Sequence, residues 1–174
     1  MNLFYVEKEP VAAAQALCDK HVVKMILETA QMLSTAHRLS ETPQAPFVYK
    51  VTHKNHPSTK WLRSSQNAYK WGLDHLEALF AEYTYRYHKT HKTEREKLQY
   101  LKVVPRDLPQ APFVDPPQCM YDDCRGVDTV LAYRIYYARR RNEIDMRWTN
   151  RPMPAWLYNK GRQHNEPVTS EDEL

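Results

Sequence analysis

Between Cys18 and Arg38 the chain carries His21, Lys24, Glu28, Gln31, Thr35 and Arg38 at alternating steps of three and four residues. On an α-helix such spacing stacks side chains along one stripe. Val22, Met25, Ile26, Thr29 (through its methyl), Met32 and Leu33 fall on the neighbouring face. One side of this helix can therefore be buried while an ionisable ridge runs along its edge. An acid, a base and an amine set into a partly buried scaffold are the ingredients of general acid–base chemistry. The same pattern also describes an amphipathic helix with a solvated edge. In that reading Lys24 and Glu28 form an ordinary i,i+4 ion pair worth about 0.3–0.5 kcal/mol.

Two further groups of residues could do chemistry. Cys18 and His21 are three apart, as are His53 and His56, and four such ligands could complete a tetrahedral zinc site. The alternative is that Cys18 is a small buried hydrophobe and the histidines are polar surface groups. Towards the C-terminus, Tyr133 to Arg162 interleaves arginines with Tyr and Trp. Arginine grips phosphate in a bidentate fashion, and aromatic planes stack on unpaired bases for about 1–3 kcal/mol each. The alternative is a helix that buries Leu131 and Ile135. Arg139, Arg140 and Arg141 stand in a row, so they cannot share one face and some are merely solvated.

The composition narrows the possible scaffolds. A length of 174 residues with 42% hydrophobic residues suits one domain with a real core. Three glycines against twelve prolines argue against glycine-rich phosphate loops and tight-turned sheets. The net charge of +4 is unevenly spread: bases concentrate from Arg134 to Arg162, while acids gather near the N-terminus and in the last five residues. This distribution favours an anionic partner, nucleic acid first. Three cysteines make no disulfide framework, and Met1 to Pro10 has no basic region leading into an apolar run. A cytoplasmic protein without a membrane partner is expected, since no apolar run is long enough to span a bilayer. The terminal Glu-Asp-Glu-Leu then has no secretory address to act on and is read as coincidence.

The elements expected to position these residues are all α-helical, with at most one minor strand. The apolar period predicts one long helix from about Pro10 to Arg38 and a second from Pro57 to about Tyr87. Phe47 to Val51 is the strand-like piece. Thr93 and Glu96 match a capping box for a short helix ending near Leu101. Five prolines from Val104 to Gln118 rule out regular structure there, so a long connection is expected. Another helix should run from near Val127 to about Arg147. Residues 1–161 are expected to form a single domain, and 162–174 a disordered acidic tail.

Several short patches carry a family likeness. Asp19-Lys20-His21 followed by Glu28 is similar to an Asp-x-His…Glu pattern, and Lys24, Glu28 and Gln31 match Lys-x3-Glu-x2-Gln. Asn55-His56-Pro57 ahead of a helix with Trp61, then Glu82-Tyr83-Thr84, fit the same branch. Arg151-Pro152, Trp156, Tyr158 and Lys160-Gly161 resemble a closing Arg-Pro-x-Trp-Tyr segment with one residue inserted. Together these resemble the endonuclease V-type pyrimidine-dimer DNA glycosylases, small all-α proteins with glycosylase and abasic-site lyase activities. The chain looks like a larger, diverged member of the kind that phages encode.

The resemblance implies a site. In that family the nucleophile is the α-amine of the processed N-terminus, a group that titrates near ~7.7–8 and is partly neutral at physiological pH. It attacks the sugar carbon, expels the base and leaves a Schiff base, and a glutamate assists the proton transfers that cut the strand. Here Asn2 stands after Met1 in place of the family's small hydroxyl residue, and a residue as large as Asn leaves the methionine on. The amine is then that of Met1, with Lys24 as the alternative. Glu28 takes the acid–base role, and His21 orients it or contacts phosphate. Lys20, Arg63, Arg139 and Arg151 grip the backbone, Gln31, Asn55 and His56 add contacts, and Trp156 and Tyr158 pack beside an opened base. The expected partner is double-stranded DNA with a damaged or modified pyrimidine. The protein should act as a monomer, with no metal or organic cofactor. A non-catalytic DNA-binding module and a zinc-stabilised interaction protein are the other two readings of the same residues.

Overall fold

Pro10 opens the first helix, where its fixed φ suits the first turn, but that helix ends after seven residues. In the computed structural model, which describes residues 1–158, α1 is Pro10–Ala16 and α2 is Asp19–Leu39. Leu17 and Cys18 between them are extended. The single helix expected over Pro10 to Arg38 is therefore two. The apolar period runs straight through the break, which is tertiary in origin. The Cys18 N–H donates to the Tyr137 hydroxyl at 2.9 Å, and the Asp19 N–H donates to the Arg147 carbonyl at 2.8 Å. Amides that would have extended α1 are bonded to a distant part of the chain instead.

The second expected helix also divides, into α3 (Pro57–Leu62) and α4 (Gln66–Tyr87). Here the signal was present in the sequence: Ser65 caps α4 by accepting the Ala68 N–H. α5 spans Lys92–Leu101 and is capped by His91, which accepts the Thr93 N–H; the expected Thr93 cap is instead buried, with its hydroxyl on Tyr49. α6 runs Thr129–Arg140, capped by Asp128. It stops short of the expected Arg147 because the chain turns back onto the start of α2. There the Arg147 carbonyl meets Asp19, and the Trp148 indole N–H donates to the Ala16 carbonyl at 3.0 Å. α7 is a single turn, Ala155–Tyr158. The expected tail, residues 162–174, and the end of the expected domain, 159–161, lie outside the described residues.

Among the described residues there is no strand, so the fold is all-α. The piece expected to be strand-like becomes a 3-10 turn at Ala45–Phe47 followed by extended chain. Its backbone groups go to the far end of the α2 ridge. Arg38 donates to the carbonyls of Val48 and Tyr49, and Thr35 both accepts the Thr52 N–H and donates to its carbonyl. The proline-rich connection is irregular, as expected. Its carbonyls are satisfied one by one: Pro109 by the Gln66 N–H, Val114 by Trp61 and Pro117 by the Tyr133 hydroxyl.

α4 packs against both α1 and α2, and α2 also meets α3 and α5. Met25, Ile26, Met32, Leu33, Leu62, Tyr69 and Phe80 are fully buried between them, each stabilising the fold by roughly 1.5–3 kcal/mol. α3 and α4 approach closely at Gly72, where an added Cβ would lie 2.2 Å from Leu62 Cδ2. A charge-neutral quartet fixes the start of α2. Arg86, fully buried, pairs with Asp19 at 2.9 Å and with Glu82 at 2.8 Å. Arg151 closes the set on Glu82 with two bonds, at 2.8 and 2.9 Å. Burial alone would raise the Asp19 carboxyl, but its bonds from Thr149 and Arg86 outweigh that and hold it below the ordinary range.

Candidate active site

The first residues of the chain thread between α2, α3 and the end of the proline-rich connection. They are pinned by Asn2, whose side chain accepts the Phe4 N–H at 2.8 Å and donates to the Cys119 carbonyl at 2.8 Å. Phe4 takes a left-handed backbone (φ 48°), strained for a bulky residue. It is held there by the Asn2 bond and by stacking on the His21 ring at 4.4 Å. The Met1 side chain is only 3% exposed, and its sulfur receives the Thr59 hydroxyl at 3.8 Å.

This seat brings the Met1 α-amine to 4.0 Å from Glu28 Oε2. Lys24 Nζ lies 3.5 Å from the other oxygen, Oε1. The two amines differ in setting: the Lys24 side chain is 58% exposed, whereas that of Met1 is 3% exposed, and Glu28 between them is 17% exposed. Glu28 therefore stands half-buried at the chain start, with one amine on its inner side and one on its outer side. A carboxylate so placed can take a proton from one and return it elsewhere.

His21 sits one turn before Lys24 and is buried. Its Nδ1 lies 2.8 Å from the Tyr137 hydroxyl, which also accepts the Cys18 N–H. Burial first, then the charges of Lys24 and Arg140, hold the imidazole at about 4, so it is neutral at pH 7. The neutral His21 ring is packed under Phe4. His56 caps α3 by accepting the Ser58 N–H at Nδ1, 3.2 Å away. Burial lowers its pKa, with further lowering from the chain-start amine and His53 against an opposing contribution from Glu28. His56 therefore belongs to the same electrostatic neighbourhood as the amine and the carboxylate.

An open cleft of about 680 Å3 adjoins the seat, lined by His56, Pro57, Pro117, Cys119, Met120 and Arg125. Both of its walls touch the chain start: α3 through Thr59 and Met1, the other through Cys119 and Asn2. Asn2, Phe4, Tyr137 and the 117–120 wall are site residues that the helical periods could not reveal. Asn2 alone carried a signal, as the position where the chain departs from the family pattern.

The remaining expected residues divide. Lys20 and Asn55 are exposed, and Gln31 is half-buried. Arg63 ends α3, with one guanidinium nitrogen buried and unpartnered. Tyr158 is 62% exposed and shares a second small cleft with Arg139 and Arg141. Arg139 is paired with Asp123 at 2.6 Å, and Arg151 is bonded to Glu82. Trp156 packs edge-on against Tyr137 and under the Arg134 guanidinium. Arg151 and Trp156 could reach DNA only by giving up these partners, so part of the basic-aromatic run is an internal brace, whereas Arg139, in a surface pair, and Tyr158 stay open to solvent. The zinc reading is corrected outright. Cys18 is at the start of α2 facing Tyr137 and His56 is at the start of α3, and among the described residues no three His, Cys, Asp or Glu side chains converge on a metal position. No described helix is long and apolar enough to cross a membrane.

A family model described as pyrimidine dimer DNA glycosylase matches residues 1–95, more than half of the 174. The matched span includes Met1, Glu28 and His56; the 117–120 wall and Arg125 lie beyond it. Neither a curated protein nor a solved structure matches the chain.

Proposed function

The chain belongs to the pyrimidine dimer DNA glycosylase family, and we propose that it excises a damaged pyrimidine with the Met1 α-amine as nucleophile and Glu28 as acid–base group. The observation that carries this reading is the 4.0 Å approach of that amine to a half-buried carboxylate. The amine nitrogen bonds to the sugar C1′ as the bond from C1′ to the base breaks, and the base leaves with that electron pair. Glu28 accepts the proton that the nitrogen sheds and passes it to O4′ as the C1′–O4′ bond breaks, so the sugar ring opens and an iminium remains. Removal of a C2′ proton by the same carboxylate then expels the 3′ phosphate and nicks the strand. Lys24 is the weaker candidate. It lacks the desolvation that makes a lysine nucleophilic at neutral pH. Exposed Lys20 on α2 and Asn55 ahead of α3 are the first candidates for holding the DNA strand, with Gln31, Arg63, Arg139 and Tyr158 further out.

Borohydride trapping on a duplex with one abasic site tests this. The wild-type protein should give a covalent adduct that maps to the Met1 peptide. Glu28→Gln should lower the adduct yield by ~10²-fold or more, the lower end of a general acid–base contribution, without weakening DNA binding. Lys24→Ala should still form it. An adduct that maps to Lys24 would refute the nucleophile assignment. Tight, salt-sensitive binding with no adduct and no base release would identify a DNA-binding module without this chemistry.

A further inference from the structure

We propose that the cleft beside Met1 receives the departing pyrimidine, and that His56 is a catalytic residue which, as a neutral imidazole, donates a hydrogen bond from Nε2 to the ring oxygen where negative charge collects. This rests on the excision chemistry above. The base is attached to the same C1′ that the amine must reach, so it has to lie in the space next to the amine. The cleft is that space: Pro57 on one wall belongs to α3, whose buried Thr59 touches the Met1 sulfur, and Cys119 on the other wall is bonded to Asn2. Its volume of about 680 Å3 falls in the usual ~300–1,000 Å3 range of small-ligand sites. Pro57, Pro117 and Met120 offer apolar surface to a flat ring.

The leaving group sets the chemical requirement. As the bond from C1′ to N1 breaks, N1 keeps the pair, and the charge spreads to the adjacent carbonyl oxygen. A pre-aimed donor there stabilises the transition state more than the ground state. The polar groups at the cleft are few. The Gln118 amide is taken up by Gly126, as both donor and acceptor. Arg125 is drawn to Asp122 at 2.9 Å. In His56, Nδ1 accepts the Ser58 N–H, so the ring proton sits on Nε2, on the edge turned away from the helix end. Protonating Nδ1 would break the cap. The cap therefore fixes both the tautomer and the neutral state, and the ring donates without transferring its proton. The leaving base later takes its proton from solvent.

Two variants separate donor from cap. In His56→Asn the amide oxygen stands near the Nδ1 position and still caps, but nothing reaches the Nε2 position. In His56→Gln the amide nitrogen approaches the Nε2 position and the cap is lost. Base release is measured in single turnover on a duplex with one cyclobutane pyrimidine dimer, where the cleaved base stays joined to its neighbour through the cyclobutane ring and is scored as free pyrimidine after photoreversal; borohydride trapping is measured on a duplex with a preformed abasic site. H56N should slow base release by ~10²–10³-fold, the usual loss for one oxyanion donor, and leave abasic-site trapping unchanged, because no base departs there. H56Q should recover a measurable part of the release rate. Equal loss of release and trapping in H56N would mean that His56 only supports the Met1 seat and would overturn the proposal, as would release unaffected by H56N. Wild-type trapping without base release from the dimer would overturn the assignment of the cleft. Absence of wild-type trapping would instead refute the nucleophile reading on which the proposal rests.

Discussion

Acid should unfold this protein well before its carboxylates are protonated, because three buried histidines resist charge. His21, His37 and His75 are 3%, 0% and 0% exposed. Each is held at about 4 against an ordinary 6.5, by burial first in every case. The neutral forms are built in. Thr42 donates to His37 Nδ1, while Nε2 donates to Tyr69, which donates in turn to the Leu101 carbonyl. His75 Nδ1 donates to the Pro10 carbonyl. Because the folded pKa lies below the unfolded one, the unfolded chain binds more protons between those two values. Stability therefore falls as pH drops through about 6.5, and the loss saturates below about 4. At pH 5 the linkage relation gives a loss of about 2 kcal/mol per histidine, hence about 6 kcal/mol for the three. That is comparable to the ~5–15 kcal/mol by which a whole domain is stable. Urea unfolding followed by far-UV circular dichroism at pH 7.5, 6 and 5 checks it. The midpoint should fall steeply at constant slope, with close to three protons taken up on unfolding near pH 5. His75→Leu should remove about a third of that pH dependence, whatever it does to absolute stability. A midpoint unchanged from pH 7.5 to 5 would refute the argument.

Other perturbations follow from the packing and from the site. Gly72→Ala should destabilise despite the ~1 kcal/mol gain in helix propensity. Its Cβ would press on Leu62, and such overpacking costs about 1–3 kcal/mol, so the melting temperature should drop. Glu82→Ala strips Arg86 and Arg151 of their shared partner and leaves a buried guanidinium under-compensated. A loss of about 3–5 kcal/mol is expected and is measurable by urea titration at pH 7.5. Adding one residue ahead of Met1 displaces the terminal amine by up to ~3.3–3.6 Å, nearly doubling the present 4.0 Å separation from Glu28. Borohydride trapping should then fail while DNA affinity persists, and a full adduct yield would exclude the Met1 amine as nucleophile.

Sequence periodicity made the helical class and the ridge on α2 legible, because a stripe of alternating three and four steps is a local property of one helix. It also located the half-buried carboxylate. It missed the two helix breaks for different reasons. Ser65 is a local cap and could have been read, whereas the break at Leu17–Cys18 depends on Tyr137 and Arg147, more than a hundred residues away. The basic-aromatic run is ambiguous in sequence for a related reason. Arginines next to aromatics read alike whether they await phosphate or are spent on buried acids, and only tertiary structure shows that Arg151 belongs to Glu82. The ridge itself is divided in use. Thr35 and Arg38 tie down the chain at Val48–Thr52, which leaves the end from His21 to Glu28 to face the chain start.

The departure at the second residue has a structural counterpart. A small residue after the initiator lets the methionine be removed, so that the next residue bears the amine. On the proposed reading, in which Asn2 leaves the methionine in place, the chain start carries one more residue that has to be accommodated. Both jobs fall to the same side chain. Asn2 is 8% exposed, with its oxygen on the Phe4 N–H and its nitrogen on the Cys119 carbonyl. The left-handed turn at Phe4 gathers the first residues against His21, and the thioether of Met1 is seated on Thr59. The extra residue is thus folded into the core rather than projecting past Glu28. Asn2→Ser tests this in one step. It removes the reach to Cys119, and it also allows the methionine to be processed. If the seat is specific to Met1, the variant should lose abasic-site trapping even where mass spectrometry shows a free Ser at the N-terminus. Trapping by the shortened chain at the wild-type rate would show that the site accepts the amine of either residue and that Asn2 has no positioning role.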